Sequence, residues 1–272
     1  MLCHHPCRLG APYATITAVH EAESWFVASS KKLFILLPPS EGKALSGTAG
    51  TKFKESSGVF GKSLDKQRGE IINALRAARG GSPKLLGVSG AHLARAQAAN
   101  LSIRGAKTLQ ARERYTGVVW DHLDLGSLPS AAQKFAAKNI IIVSGLLGVV
   151  AAGDPTPDYR LKIGAALAPM GKLSTWWRDD LSRALNQQCK GSIIIDLLPQ
   201  EHSAAFVADP KMITQYFKVD LATRSGKAGG HDAKAAKGRL ARHLVSNHAK
   251  KPEIVLNSFK DSKFKVRILE QF

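Results

Sequence analysis

Apolar positions along the chain fall into short dense runs, separated by stretches rich in glycine and proline. Leu33-Phe34-Ile35-Leu36-Leu37 is apolar throughout and stops at Pro38-Pro39, as a buried strand delivering a loop would. Ile140-Ile141-Ile142-Val143 and Ser192-Ile193-Ile194-Ile195-Asp196-Leu197 are β-branched runs of the same kind. Both read as central strands buried on two faces. Helical period appears over 67–79, where Ile71, Ile72, Leu75 and Ala78 share a face and Gly80-Gly81-Ser82-Pro83 stops the helix. Further helices are expected over about 85–100, 175–188 and 234–248. Residues 264–269 alternate as an edge strand would, and 40–61 reads as a long loop. No repeat or linker is visible, so these elements predict one mixed α/β domain of the α+β class with a central sheet.

The last long helix carries the most chemistry. At 100° per residue Leu240, Ala241, Leu244 and Val245 mark its inward arc, Lys237 falls inside that arc, and Lys234 lies at its edge. A lysine among core positions either snorkels or faces a polar cleft. Lys234 and Lys237 are therefore candidate anion contacts, with Arg242 assisting from the outer face; a solvated basic helix with one snorkelling lysine fits the same pattern. Gly238 costs the helix about 1 kcal/mol relative to alanine, which points to a close backbone approach.

Composition sharpens this picture. The 272 residues hold 39 Lys+Arg against 21 Asp+Glu, a net charge of +18. The excess is segregated: +7 in residues 33–130 and +9 in 211–272, against +1 in 1–32 and +1 in 131–210. Such an excess points to a polyanionic partner, with double-stranded or distorted DNA first and an anionic membrane surface second. A membrane span is not expected, because the longest apolar stretch, 140–152, is too short. Three cysteines give no disulfide framework, so a reducing cytoplasm is the default compartment. A monomer is the default state.

Several motifs approach a known chemistry and miss it. Pro39-Ser40-Glu41-Gly42-Lys43 follows a strand, but Ala44 breaks a Walker A match; Gly61-Lys62-Ser63 has the end of that motif without its first glycine. Ser144-Gly145-Leu146-Leu147-Gly148 lacks the leading glycine of a nucleophile elbow, because Ile142 stands there. Residues 85–94 look like a helix-hairpin-helix, whose backbone N–H groups hold a DNA phosphate, with Gly87-Val88-Ser89-Gly90 one residue longer than the usual hairpin. An ordinary packing corner fits that stretch as well. Asp154, Asp158, Tyr159 and Arg160 line a polar pocket or make turns and an internal Asp–Arg pair. Cys3, His4, His5 and Cys7 have ligand-like identities, but no second pair at zinc spacing follows, so no metal site is expected. No catalytic or cofactor motif emerges, and no cofactor is expected.

Five stretches in order resemble the YaaA family of bacterial peroxide-stress-response proteins. They are Leu36-Leu37-Pro38-Pro39-Ser40-Glu41-Gly42-Lys43, Arg114-Tyr115-Thr116-Gly117, Ser144-Gly145-Leu146-Leu147-Gly148-Val149, Pro157-Asp158-Tyr159-Arg160-Leu161-Lys162-Ile163-Gly164, and Lys234-Ala235-Ala236-Lys237-Gly238-Arg239-Leu240. The resemblance covers 33–272, with 1–32 outside it as an N-terminal extension or the product of an upstream start. It implies a cytosolic protein that limits peroxide damage by lowering free iron. It also implies DNA binding through a basic cleft with a helix-hairpin-helix-like element, on a family-specific fold. By matching motif, Lys43, Tyr115, Ser144, Tyr159, Arg160, Lys234, Lys237 and Arg242 are candidate cleft residues, with Ser40 beside Lys43. His202 stands where the family usually has tyrosine. An enzyme acting on a small nucleotide-like anion in the same cleft is the alternative.

Overall fold

The computed structural model describes residues 31–46, 50–224 and 230–272. Residues 31–272 form one compact unit. The Cys3–His4–His5–Cys7 group lies outside the described residues.

Six strands make the central sheet: β1 (Leu33–Leu37), β2 (Ile140–Ser144), β3 (Gly148–Ala151), β4 (Ile193–Asp196), β5 (Gln215–Thr223) and β6 (Phe264–Gln271). Their order across the sheet is β6-β5-β4-β1-β2-β3. The four central strands are parallel, with Leu36 opposite both Ile141 and Asp196. The two edges, β3 and β6, run antiparallel to their neighbours. Every residue of β1, β2 and β4 is buried, as the apolar runs require when helices cover both faces. The mixed α/β domain with a central sheet is thus observed. The segregation of helices from strands that the α+β class implies is not, because helices alternate with parallel strands along the chain.

The main helices are α1 (Gly61–Ala77), α2 (Pro83–Leu86), α3 (Gly90–Leu101), α4 (Val118–Leu123), α5 (Ser130–Asn139), α6 (Arg178–Gln188), α7 (Gly230–Ser246) and α8 (Pro252–Ser258). They pack in two groups, α1 with α3 and α6, and α7 with α4, α5 and α8. Helix α1 begins six residues before its sequence period becomes visible, so Gly61-Lys62-Ser63 is its first turn. The helix expected over 175–188 is interrupted at Trp177, which is fully buried and donates its indole N–H to the Gly145 carbonyl at 2.9 Å.

Gly238 has the reason its position predicts. A Cβ there would lie 2.3 Å from the Val119 carbonyl oxygen and 2.7 Å from the His122 Cβ, so α7 crosses α4 at backbone contact. Gly238→Ala is expected to lose about 1–3 kcal/mol from forced displacement, outweighing the roughly 1 kcal/mol that alanine gains in helix propensity. A urea melt showing equal or greater stability would contradict this contact.

The strand order places β1 next to β4 although the chain leaves β1 toward β2 and leaves β4 toward β5. At such a switch point the loops beyond the carboxyl ends of the two strands diverge and open a crevice. That crevice holds the residues described next.

Candidate functional site

A cleft of about 1120 Å³ opens beyond the carboxyl ends of β1 and β4, beside the second half of β5. One wall comes from residues 38–43 after β1 and the floor from 159–163. The opposite wall comes from 198–203 after β4, 218–221 on β5, and Lys234 and Lys237 on α7. Lys43, Arg160, Lys234 and Lys237, which the sequence scatters over both ends of the chain, all line it. Among the described residues its lining carries six Lys/Arg and three Asp/Glu. That ratio is close to the chain's own, so burial and position set these lysines apart rather than a local surplus of positive charge.

Lys43 is the most unusual of them. Backbone pairing with Tyr115, together with Ala44 N–H donating to the Arg114 carbonyl and Thr116 N–H to the Gly42 carbonyl, fixes its strand-like segment. Its side chain is only 9% exposed. The ammonium nitrogen sits 4.2 Å from the Tyr159 ring centre and 5.5 Å from that of Tyr115, and donates to the Ser40 carbonyl at 3.0 Å. Burial pulls its pKa down to about 7. Asp158 and Glu41 oppose that pull, while Arg160 and Arg114 reinforce it.

Beneath Lys43 runs a chain of buried hydroxyls. Tyr115 and Tyr159 share a hydrogen bond of 2.8 Å, and Tyr159 and Ser144 one of 2.7 Å. Burial raises the pKa of both phenols, Tyr159 to about 12, so they stay protonated. Ser144 is fully buried, and its Oγ accepts from the Leu146 and Leu147 N–H groups. This strand-end serine anchors the turn into β3 and supports Tyr159.

At the rim, Glu41 pairs with Arg160 and, at 2.8 Å, with Lys162. Burial works against the charge of Glu41, but Lys162 and Arg160 override it and lower its pKa. Arg160 also donates to the Leu86 carbonyl at 3.0 Å. The internal Asp–Arg pair foreseen in 154–160 is made instead with a distant helix: Asp158 binds Arg95 at 3.0 Å. Asp154 is structural, accepting from the Val59 and Ala151 N–H groups.

On the far wall, Lys237 donates to the Leu197 carbonyl, while Lys234 is exposed. Asp196, 1% exposed, accepts from Tyr216 Oη at 2.7 Å and the Leu198 N–H at 2.7 Å. Burial raises its pKa; Tyr216, Lys218 and Lys237 pull it back. His202 lines the cleft with a buried Nδ1 that has no hydrogen-bond partner, and burial lowers its pKa to about 4.

Five predicted residues do not line the cleft: Tyr115 and Ser144 are buried beneath it, and Arg242, Gly87 and Gly90 lie outside it. Arg242 points to the back of α7, where it donates to the Leu123 carbonyl at 3.1 Å and to Ser127 Oγ at 2.7 Å and so ties α7 to the end of α4. Gly87 and Gly90 sit in the turn between α2 and α3. Both have positive φ, 64° and 55°, which glycine adopts without strain. The first helix of that hairpin is the four-residue α2 rather than the long helix that precedes it. The turn still adjoins the site, since a Cβ on Gly87 would stand 3.4 Å from Lys162 Nζ.

Comparison with known proteins decides the lineage. The family model described as peroxide stress protein YaaA matches residues 33–268. The chain belongs to this family. Two similar relatives are a UPF0246 protein of Streptomyces coelicolor and one of Corynebacterium glutamicum. The first is 32% identical over 217 residues, 79% of this chain and 83% of the relative. The second is 32% identical over 218 residues, 78% of this chain and 85% of the relative. An uncharacterized protein of Campylobacter jejuni is 28% identical over 148 residues, 54% of this chain and 58% of its own length. Among the described residues, no helix is long and apolar enough to cross a membrane.

Proposed function

We propose that this YaaA-family member binds DNA, double-stranded or distorted, along the mouth of the cleft and so limits oxidative damage. The observation that carries this reading is the placement of Lys43, Arg160, Lys234 and Lys237 on one concave surface. The turn at Gly87–Gly90 adjoins that surface at Lys162, and the backbone N–H groups that follow Gly87, whose own N–H is held by the Pro83 carbonyl, would meet a phosphate there. The resemblance further implies a cytoplasmic protein that lowers free iron. Among the described residues no cluster of three His, Cys, Asp or Glu side chains could hold a metal ion.

The test is fluorescence anisotropy with a duplex at several salt concentrations. Each neutralised phosphate contributes about −0.9 to the slope of log K against log salt. Lys234→Ala and Lys218→Ala are each expected to flatten the slope by about 0.9. Lys265→Ala, on exposed β6 outside the cleft, should leave it unchanged. A salt-independent affinity, or an equal effect from Lys265→Ala, would reject binding through this mouth.

A second reading, an enzyme acting on a small anionic substrate, is favoured by a different observation. Lys43 lies buried on two aromatic rings at the switch point of the sheet.

A further inference from the structure

DNA contact at the mouth does not account for the burial of the Lys43 amine in the cleft wall. An ammonium kept only to attract phosphate is better placed exposed, as Lys234 is. Lys43 is instead desolvated, and among the described residues no carboxylate comes within ion-pair distance of it. Its backbone is pinned by pairing with Tyr115, so the amine is held in place before any ligand arrives. Among the groups that face it, Glu41 and Asp158 favour its protonation, Arg160 and Arg114 oppose it, and the two phenols stay neutral. Placing a lysine in a dry pocket beside other cations is a general way to obtain a neutral, nucleophilic amine near pH 7. Across the cleft, Lys234 and Lys237 provide for a second, anionic part of the same ligand.

We propose that Lys43 is a nucleophile that forms an imine with a phosphorylated aldehyde bound in the cleft. The neutral amine's lone pair attacks the carbonyl carbon, the C–N bond forms, and the carbonyl π electrons pass to oxygen, which takes up a proton. The resulting carbinolamine loses that oxygen as water, and the nitrogen gives up its second hydrogen. The balance is amine plus aldehyde to imine plus one water, with no oxidant or metal needed. This rests on the second reading above, a small anionic ligand in the cleft, and not on DNA binding. One chemistry has two sources: a free sugar-phosphate-like aldehyde, or the ring-opened deoxyribose of an abasic site, which carries its phosphates with it.

The full-length protein should be treated with substoichiometric pyridoxal 5′-phosphate and sodium cyanoborohydride, and the adducts mapped by mass spectrometry. At pH 7 the expected principal site is Lys43, with a pH midpoint near 7 where exposed lysines rise toward about 10. Pyridoxal without its phosphate should label Lys43 about tenfold more slowly, the worth of one charge-assisted anion contact. Lys43→Arg, checked for folding by circular dichroism, should remove the preferred adduct. Labelling spread over surface lysines overturns the proposal. So does binding of the phosphate by equilibrium dialysis without a Lys43 adduct, an outcome that leaves the anion site itself standing. Failure of both removes the small-anion reading as well. A parallel arm uses duplex containing an abasic site: a Lys43-dependent covalent complex assigns the source to DNA, and reaction with the free aldehyde alone assigns it to a metabolite. Reaction with neither overturns the imine.

Discussion

Arg68→Met is expected to cost at least about 4 kcal/mol and to abolish folding near 37 °C. Arg68 is fully buried in α1, and its guanidinium donates to four backbone carbonyls: Leu147 at 3.0 Å, Glu55 at 2.8 Å, Ser57 at 2.8 Å and Val149 at 2.9 Å. Burial pulls its pKa down to about 10, so it remains charged at neutral pH. Methionine fills much of the volume but leaves those oxygens without this donor; the buried Leu147 and Val149 acceptors cost about 1–3 kcal/mol each and the half-buried Glu55 and Ser57 ones less. The total approaches the 5–15 kcal/mol by which a whole domain is stable. Arg68→Lys should fail as well, because a compact ammonium with three donors cannot span the planar fork of contacts. The check is thermal denaturation by circular dichroism. A variant melting within a few degrees of the parent would show that the network is dispensable. The consequence reaches the cleft, because the same turn that presents Leu147 also presents its N–H to Ser144 beneath Tyr159.

Lys43→Met should move stability the other way. The ordinary lysine pKa of 10.5 falls to about 7 in the folded chain. Between those two values the unfolded chain binds a proton that the folded chain has released. Wild-type stability therefore rises with pH through this window, and below pH 7 the folded state carries the full cost of the buried charge. Removing the ionisable group is expected to stabilise the protein at pH 7 by an amount on the order of 3 kcal/mol, a gain that shrinks to nothing near pH 10.5. Melting temperatures of the two proteins compared from pH 6 to 10 would test it. A methionine variant that is less stable at pH 7, or a difference that does not change with pH, would mean that Lys43 is there for packing. A stabilising loss is what a residue kept for chemistry should show. On the acid side the same sign reasoning applies to His202, whose pKa falls to about 4, so wild-type stability should drop as pH falls from 6.5 toward 4.

The parts of the fold legible in the sequence were those with one dominant signal. The runs at Leu33, Ile140 and Ile193 announced central strands, and the inward arc of Leu240, Ala241, Leu244 and Val245 was read correctly, each of the four being at most 1% exposed. Strand β5 was missed: Gln215–Thr223 mixes Lys218 and Asp220 into its apolar positions because one end of it borders the cleft. The break at Trp177 was invisible because a large apolar residue suits a helix or a buried corner equally well. Lys43, Tyr159, Arg160, Lys234 and Lys237, to which motif order and helical phase point, line one cleft. Arg242 was placed on the outer face, but its contacts with the end of α4 depend on where a separate segment packs, which no local pattern states. Lys162, Glu201 and Lys218 went unnoticed as cleft residues for the same reason. Arg68 left no trace, since one arginine on a helix reads as solvent-facing. The only available signal was its phase: it lies three and four residues from Ile71 and Ile72, on the buried side.

Lys43 and Lys237 face the same cleft from opposite ends of the described chain. A polypeptide still being synthesised, with β1 to β4 already emerged, would have the amine, its two tyrosines and the first wall. It would carry neither Lys234 nor Lys237, and α4 would lack the helix that Gly238 seats against it. Helix α7 and edge strand β6 arrive last and close the site. A chain cut short before α7 would therefore lack one wall of the cleft, with Lys234 and Lys237 on it.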